Sequence, residues 1–249
     1  MENSVFEWGA KRLNWLAFDT STDVMSVAVQ RTLGTTPQIW QQTAVGGAQT
    51  STNLIPVIQQ LMAQADLRFD ELTAIIFGRG PGSFTGLRTA CSVAQGLALG
   101  AKVPVLPVDT LLAVAEDARW QCSDPLCPRS VTALLDARMD ELYAARYYFE
   151  SGLWTEIKGP ALIRPDCLEI DDHVTLAGNV FVTYGDRLPA SAAERVAALP
   201  TASALLRLAP ALLARGGALP AEQALPLYIR DKVAKTTAER AAEKLDASA

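Results

Sequence analysis

Histidine is nearly absent from this sequence. The chain has 249 residues, and His173 is its only histidine. Most catalytic zinc and iron sites draw on two or three imidazoles, so the chain cannot build a metal centre of the His-x-x-x-His kind by itself. A serine hydrolase is also disfavoured, because no G-x-S-x-G elbow is present and His173 would have to act as its base. His173 follows two aspartates in a polar stretch, which is typical of a solvated surface side chain.

Paired cysteines and an excess of basic residues are lacking as well. The cysteines form no C-x-x-C pair, and we expect no disulfide between Cys122 and Cys127 in a chain of this size. The sequence has 22 Lys and Arg against 27 Asp and Glu, which gives a net charge of −5. Proteins that bind tRNA without a partner protein usually carry a basic face, because neutralisation of the RNA phosphates by Lys and Arg supplies much of the affinity. We therefore expect no unaided binding of nucleic acid.

Long apolar runs and a secretory leader are also lacking. The two longest weakly charged stretches, 93–108 and 199–219, are interrupted by Lys102 in one case and by Arg207 and Arg215 in the other. Neither stretch predicts a helix that spans a membrane. Residues 1–14 lack the apolar segment of a signal peptide. We expect a cytoplasmic protein without a membrane partner.

Apolar runs separated by polar turns predict an α/β chain. The first half predicts strands at 14–19, 25–30, 38–45, 72–77 and 103–108, and helices at 53–65, from the glycine-rich turn to Gly100, and at 110–119. Asn53 is the expected N-cap of the first helix, since Pro56 then falls in its first turn. The second half predicts a hairpin of 131–135 with 142–149, a strand at 174–177, and helices near 191–198 and 201–215. An antiparallel meander followed by alternating helices and strands is typical of the ribonuclease-H-like half of actin and sugar kinases.

This order predicts two lobes. We expect an extension over 1–12, a first lobe over 13–110 that 226–249 completes, and a smaller second lobe over 111–225. The stretch 120–128 holds two cysteines and two prolines and is a candidate boundary.

A glycine-rich turn over 78–86 lies between a predicted strand and a predicted helix. Backbone amides at a helix start can receive an anion, and Ser83 or Thr85 can cap the helix. The turn is not a Walker A loop, and its glycine spacing differs by one residue from a dinucleotide fingerprint, with Asp109 at the end of the next strand. Alternatively, the glycines only let the helix and the strand pack closely.

Asp19 ends the first strand, where a carboxylate can hold a cation or a phosphate through it. A polar hairpin turn is the alternative. The predicted anion site is Asp19, Ser21, Gly80, Gly82, Ser83 and Thr85.

One face of the predicted helix after the turn carries only small side chains. Gly86, Ala90, Ala94 and Ala98 recur at every fourth position, which permits a close helix neighbour. The stripe fits tight internal packing or a subunit interface that includes the 53–65 helix, and the spacing does not separate them.

Four motifs carry a resemblance to a known family. They are LAFDTST at 16–22, GRGPGSFTGLR at 78–88 with QGLALG at 95–100, DARMDE at 136–141, and PLYIR at 226–230. Together, from about residue 13 to about residue 235, they resemble the TsaB (YeaZ) family.

The resemblance implies a two-lobed actin-like ATPase fold. It also implies a part in forming N6-threonylcarbamoyladenosine at position 37 of tRNAs that read codons beginning with adenine. In that family the protein is a non-catalytic partner of the metal-bearing homologue TsaD, and an ATPase, TsaE, joins them. For this chain it implies a heterodimer with TsaD, a homodimer in isolation, tRNA contact only through the complex, and no tightly bound cofactor, with ATP used by the complex.

Two departures from nucleotide-binding and metal-binding relatives indicate a lost active site. TsaD has a His-x-x-x-His pair on its first helix, whereas the equivalent stretch 48–55 has no histidine, and Ser21 stands where nucleotide-binding relatives usually have glycine. The first departure also puts an older metallopeptidase-like label in doubt. We therefore predict no catalytic residue and no metal ligand.

The predicted partner interface is Asn53, Leu54, Ile58, Leu61, Met62, Gly86, Ala90, Ala94 and Ala98. The other interpretation is a nucleotide-dependent enzyme that uses the glycine-rich turn with Asp19 or Asp109.

Overall fold

A computed structural model describes residues 13–171, 173–191 and 193–230. The first of two sheets contains five strands: β1 (Trp15–Asp19), β2 (Val24–Leu33), β3 (Thr36–Val45), β4 (Ala74–Gly80) and β5 (Val105–Asp109). Their order is β3-β2-β1-β4-β5, with an antiparallel meander of β1, β2 and β3 and with β4 and β5 parallel to β1. Two helices, α1 (Thr50–Gln64) and α2 (Phe84–Ala101), connect β3 to β4 and β4 to β5.

The second sheet repeats this strand order. Its strands are β6 (Arg129–Asp136), β7 (Leu142–Glu150), β8 (Leu153–Ile163), β9 (Val174–Gly178) and β10 (Glu194–Ala197). The order is β10-β9-β6-β7-β8, again a meander of three strands followed by two parallel ones. The remaining helices are α3 (Thr110–Gln121), α4 (Phe181–Tyr184) and α5 (Ala202–Ala214).

Helices cover both faces of the first sheet. The buried side chains of α1 and α2 pack with Phe18 and Phe77 on one face. Those of α5 pack with Trp15 and Ile76 on the other. Because α3 contacts both sheets, it joins the two halves of the molecule. The helix α5 falls within the range predicted for the second lobe, although its apolar face lies on the first sheet.

Two predicted elements differ from the structure. The helix α1 begins at Thr50 after a short 3-10 turn, so Asn53 is not its N-cap and Pro56 lies inside it. Pro56 has no N–H to donate to the carbonyl oxygen of Thr52, four residues earlier in the helix. Thr52 is exposed, so water can replace the missing donor. The prediction of a helix near 191–198 is wrong, because residues 194–197 pair with β9 and sheet pairing overrides the local helix propensity of the alanines. The strand β8 was missed altogether.

No helix within the described ranges is long and apolar enough to cross a bilayer.

Candidate functional site

The glycine-rich turn packs directly on the turn between β1 and β2. The backbone N–H of Ser83 donates to the carbonyl oxygen of Ser21 at 2.7 Å. A Cβ atom on Gly82 would lie 2.5 Å from Cβ of Ser21, and one on Gly86 would lie 1.9 Å from the carbonyl oxygen of Thr20. The glycines therefore have an internal role, since any side chain at these two positions would force the two turns apart.

Asp19 lies beneath this contact and has no exposed surface. Its Oδ1 accepts hydrogen bonds from the backbone N–H and the Oγ of Ser21, at 2.8 and 2.6 Å. Its Oδ2 accepts a longer one from Oγ1 of Thr110, at 3.4 Å. Burial raises the pKa of Asp19 to about 6, although the hydrogen bonds from Ser21 and Thr110 act in the opposite direction.

The six predicted anion-site residues are thus only partly brought together. Asp19, Ser21, Gly82 and Ser83 meet at the turn contact, but Thr85 is exposed on α2. At Gly80, where φ is +119°, a Cβ would lie 2.6 Å from the carbonyl oxygen of Leu227. Binding of an anion here stays a prediction.

A cleft of about 320 Å³ opens between the two sheets beside this contact. Ser21 and Ser83 line one wall, and the hairpin between β6 and β7 lines the other. Arg138, at the tip of that hairpin, forms ion pairs with Asp136 and, across the cleft, with Asp23. Arg138, Met139 and Asp140 all have left-handed backbone, with φ of 61°, 55° and 61°. Three consecutive non-glycine residues in this conformation are costly, so the surrounding contacts must hold the tip in place.

The C-terminal motif crosses from one side of the cleft to the other. The N–H of Leu227 donates to the carbonyl oxygen of Arg79 at 2.7 Å, and the ring of Tyr228 lies 4.9 Å from that of Phe84. Arg230 then pairs with Glu141 at 2.6 Å. Residues from all four motifs that carry the family resemblance therefore meet at this cleft, although they are far apart in sequence.

The predicted partner-interface side chains lie in the core instead. Those of Leu54, Ile58, Leu61, Met62, Ala90, Ala94 and Ala98 are at most 3% exposed. Gly86 is also buried, and Asn53 is half-buried. The small-residue stripe brings α2 close to its own sheet, which corrects the prediction that these side chains contact a partner.

The opposite, outward face of α1 and α2 has an unusual composition. The 15 residues of α1 include no charged residue, and the 18 residues of α2 include only Arg88. Arg88 is exposed on this side too, but its guanidinium lies over the ring of Phe84 and donates to the hydroxyl of Tyr228. We call the rest of the surface the uncharged face; its exposed residues are Thr52, Ile55, Pro56, Gln59, Gln60 and Ala63 on α1 and Thr85, Ser92, Gly96, Leu99 and Gly100 on α2. Sequence reasoning missed this face, although the run without Asp, Glu, Lys or Arg from 50 to 64 was visible in the sequence.

The described residues hold no group of three or more His, Cys, Asp or Glu that could hold a metal ion. His173 is exposed and has a φ of 65°, as befits a residue in a surface turn. Asp109 ends β5 and pairs with Arg79 at 2.6 Å, so its carboxylate is engaged by the chain's own cation.

Comparison with known proteins agrees with the motifs. The family described as "TsaD: tRNA N6-adenosine threonylcarbamoyltransferase" matches residues 35–238. The tRNA threonylcarbamoyladenosine biosynthesis protein TsaB of Escherichia coli strain K12 is 30% identical over 236 residues, which cover 88% of this chain and 95% of that protein. TsaB of Haemophilus influenzae is 30% identical over 238 residues, which cover 90% of this chain and 96% of that protein.

A solved structure described as "YeaZ from Pseudomonas aeruginosa" superposes with a TM-score of 0.77 at 34% identity, covering 87% of this chain and 99% of that one. This superposition, with the two mixed sheets of repeated strand order, confirms the predicted α/β, two-lobed actin-like fold. With near-full-length matches in sequence and in structure, the chain belongs to the TsaB (YeaZ) family.

Proposed function

We propose that this chain is a non-catalytic activating subunit in the formation of N6-threonylcarbamoyladenosine on tRNAs that read ANN codons. It binds the metal-bearing homologue TsaD, and the ATPase TsaE joins that pair. Alone it forms a homodimer, and it reaches tRNA only through the complex. It holds no cofactor tightly, and the complex uses the ATP. The names of its full-length relatives support the pathway.

The observation that carries the proposed partner contact is the uncharged face of α1 and α2. The centres of protein interfaces are depleted of charged residues, whereas a solvated helix pair normally carries many. An exposed glycine inside a helix costs about 1 kcal/mol relative to alanine. A Cβ atom added at Gly96 or Gly100 would meet none of the described residues within 4 Å, so neither glycine has a packing reason in the part of the chain that the structure describes. A closely approaching helix of a partner would supply one.

The non-catalytic role is supported by the state of the predicted anion site. Asp19 is buried beneath the contact between the two turns. Both the backbone N–H and the hydroxyl of Ser21 donate hydrogen bonds to its carboxylate. A general base has to lie within hydrogen-bond reach of the substrate, and in this arrangement the carboxylate of Asp19 reaches only groups of its own chain.

A second candidate, a nucleotide-dependent enzyme, is favoured by one observation. The N-cap of α2, Ser83, and its first residue, Phe84, line the cleft, and a helix N-terminus attracts phosphate. Calorimetry with ATP, ADP and NAD separates the two functions. Micromolar binding together with turnover by the isolated chain would establish the second.

The partner contact is tested by Gly96→Arg. Arginine is a better helix former than glycine and the position is open, so the isolated variant should fold as well as the native chain. A long cation at the centre of a close helix contact should abolish co-elution with TsaD. It should also abolish the modified nucleoside in a reconstitution on unmodified tRNA, read by mass spectrometry.

Val182→Arg is the matched control, because Val182 is fully exposed on the short helix of the second lobe. That variant should co-elute and support product as the native chain does. If Gly96→Arg also co-elutes and supports product, the contact lies elsewhere. If product forms equally well with this chain omitted, the activating role itself is wrong.

A further inference from the structure

A second cavity, of about 350 Å³, lies between α3, α5 and the hairpin of β7 and β8. It shares no lining residue with the cleft between the sheets. Its walls combine three arginines, Arg119, Arg207 and Arg215, with aromatic rings and aliphatic side chains. We call it the arginine pocket. Its volume falls within the range of sites that hold small molecules.

Two of the three arginines in the pocket, Arg119 and Arg207, share the carboxylate of one residue, Glu116. Glu116 is 2% exposed. Its Oε1 accepts from Nη2 of Arg119 at 2.7 Å and from Nε of Arg207 at 2.8 Å. Its Oε2 accepts from Nε of Arg119 at 2.7 Å and from Nε1 of Trp154 at 3.0 Å. The carboxylate of Glu116 thus accepts four hydrogen bonds. Because it supplies one negative charge against the two positive charges of Arg119 and Arg207, these three residues together keep a net positive charge.

Two donors of the pocket remain without an acceptor. Nη2 of Arg207 is buried and has no hydrogen-bond partner among the described residues. Arg215, the C-cap of α5, is exposed and forms no ion pair with any described residue. The other two carboxylates that line the pocket do not compensate, because Asp109 pairs with Arg79 and Glu156 is exposed to solvent. A buried guanidinium N–H without an acceptor is unfavourable, so this arrangement favours an anion.

The rest of the pocket favours a flat ring. Trp120, Phe149 and Trp154 contribute aromatic rings, and Leu208 and Leu212 contribute aliphatic surface. One face of Trp120 carries the guanidinium of Arg207 and one face of Phe149 carries that of Arg119, with Cζ 4.8 and 4.4 Å from the ring centroids, so a ligand ring would use the remaining ring surfaces. Trp120 is 56% exposed although it is one of the largest apolar side chains. Such a side chain at the rim of a cavity can cover a bound ring and stack on it.

We propose that the arginine pocket binds a small aromatic anion, with its ring packed among Trp120, Phe149 and Trp154 and its carboxylate or phosphate accepting from Arg207. This binding is independent of the partner contact proposed above, since no residue of α1 or α2 lines the pocket.

The test uses the full chain and indole-3-acetate as the probe, followed by ligand-detected NMR and by calorimetry. A ligand of about a dozen non-hydrogen atoms that fits should bind with a Kd of about 1 mM or tighter. The two halves of the probe, 3-methylindole and acetate, should each bind at least about tenfold more weakly. Adenosine monophosphate in place of indole-3-acetate distinguishes a phosphate ligand from a carboxylate ligand.

Ala211→Leu fills the pocket from its α5 wall and should weaken probe binding by about tenfold or more. Ala214→Leu is the matched control, because Ala214 is exposed on the same helix outside the pocket, and it should bind as the native chain does. Should Ala211→Leu fail to fold, Arg215→Gln removes an exposed cation of the pocket and should weaken binding several-fold.

The proposal is overturned if neither indole-3-acetate nor adenosine monophosphate binds saturably up to about 5 mM, which would leave water as the partner of Arg207. It is also overturned if Ala211→Leu folds and binds the probe unchanged.

Discussion

The two sheets share one strand order but differ in the helices that connect their strands. In the first sheet, the links from β3 to β4 and from β4 to β5 contain helices of 15 and 18 residues. At the corresponding places the second sheet has a three-residue 3-10 turn, Pro165–Cys167, and the four-residue helix α4. The strand order is therefore compatible with very different connections. Of the two lobes, the first carries the pair of long helices on which the proposed partner contact depends.

The same comparison extends to the aspartates that end the first strand of each sheet. Asp19 ends β1, and within the described residues it is bonded only to backbone N–H and hydroxyl groups and forms no ion pair. Asp136 ends β6 and accepts from the hydroxyl of Tyr184 at 3.0 Å, and Arg138 lies 3.3 Å away. Equivalent backbone positions thus hold one carboxylate without a counter-charge and one with it.

The largest expected effect concerns the contact that joins the two halves. Glu116 on α3 connects Trp154 of the second sheet with Arg207 of α5, which packs on the first sheet. Glu116→Ala leaves two arginines without their carboxylate and should lower the free energy of unfolding by about 3–5 kcal/mol, measured by urea denaturation. Glu222→Ala, at an exposed position, should change it by less than about 0.5 kcal/mol. Equal stabilities for the two variants would mean that Glu116 does not hold the halves together.

The pKa of Glu116 gives this effect a pH dependence. Burial alone would raise that pKa, but the hydrogen bonds from Arg119, Trp154 and Arg207 outweigh burial and hold it below the ordinary value. The stabilisation is therefore present at neutral pH and is lost as the pH falls through the lowered pKa.

The next effect concerns the two aspartates. The pKa of Asp19 is raised from 3.8 to about 6 in the folded chain, so folding favours the protonated carboxyl group. The stabilisation from this group is fully present below pH 3.8 and is lost as the pH rises through 6. The loss amounts to on the order of 3 kcal/mol. Asp19→Asn carries no charge at any pH, so above pH 6 it should be more stable than the native chain by up to about that amount.

Asp136→Asn sharpens the comparison, since it removes a charge that has a cation beside it. This variant should be less stable by about 1 kcal/mol at neutral pH, because Arg138 is largely exposed and the ion pair is screened. Thermal denaturation of both variants between pH 4 and pH 8 measures whether Asp19→Asn is stabilised and Asp136→Asn is destabilised. If both variants lose stability at pH 8, the contrast between the two strand ends is wrong.

The five strands of the first sheet and the positions of the motifs followed from the sequence, but the strand order and the side-chain directions did not. Alternating apolar residues and glycine-rich turns predicted β1, β2 and β4 and the α2 region, since period and turn chemistry are local properties. The prediction at 191–198 failed because an alanine-rich stretch pairs with β9, a contact made far along the chain. The stripe from Gly86 to Ala98 was correctly seen as a close-packing surface, yet spacing alone does not reveal whether the neighbour is the chain's own sheet or another subunit.

The smallest expected effect separates the two faces of α2, the helix that the second lobe lacks. Gly96→Ala places a methyl group in open space and should raise the free energy of unfolding of the isolated chain by about 0.5–1 kcal/mol. Gly86→Ala, in the first turn of the same helix and on its buried face, should lower it, because the new Cβ would lie 1.9 Å from the carbonyl oxygen of Thr20. Urea denaturation of the two variants measures the opposite signs. A destabilised Gly96→Ala variant would mean that this glycine already has a role within the isolated chain, and the reason for expecting a close partner there would be lost.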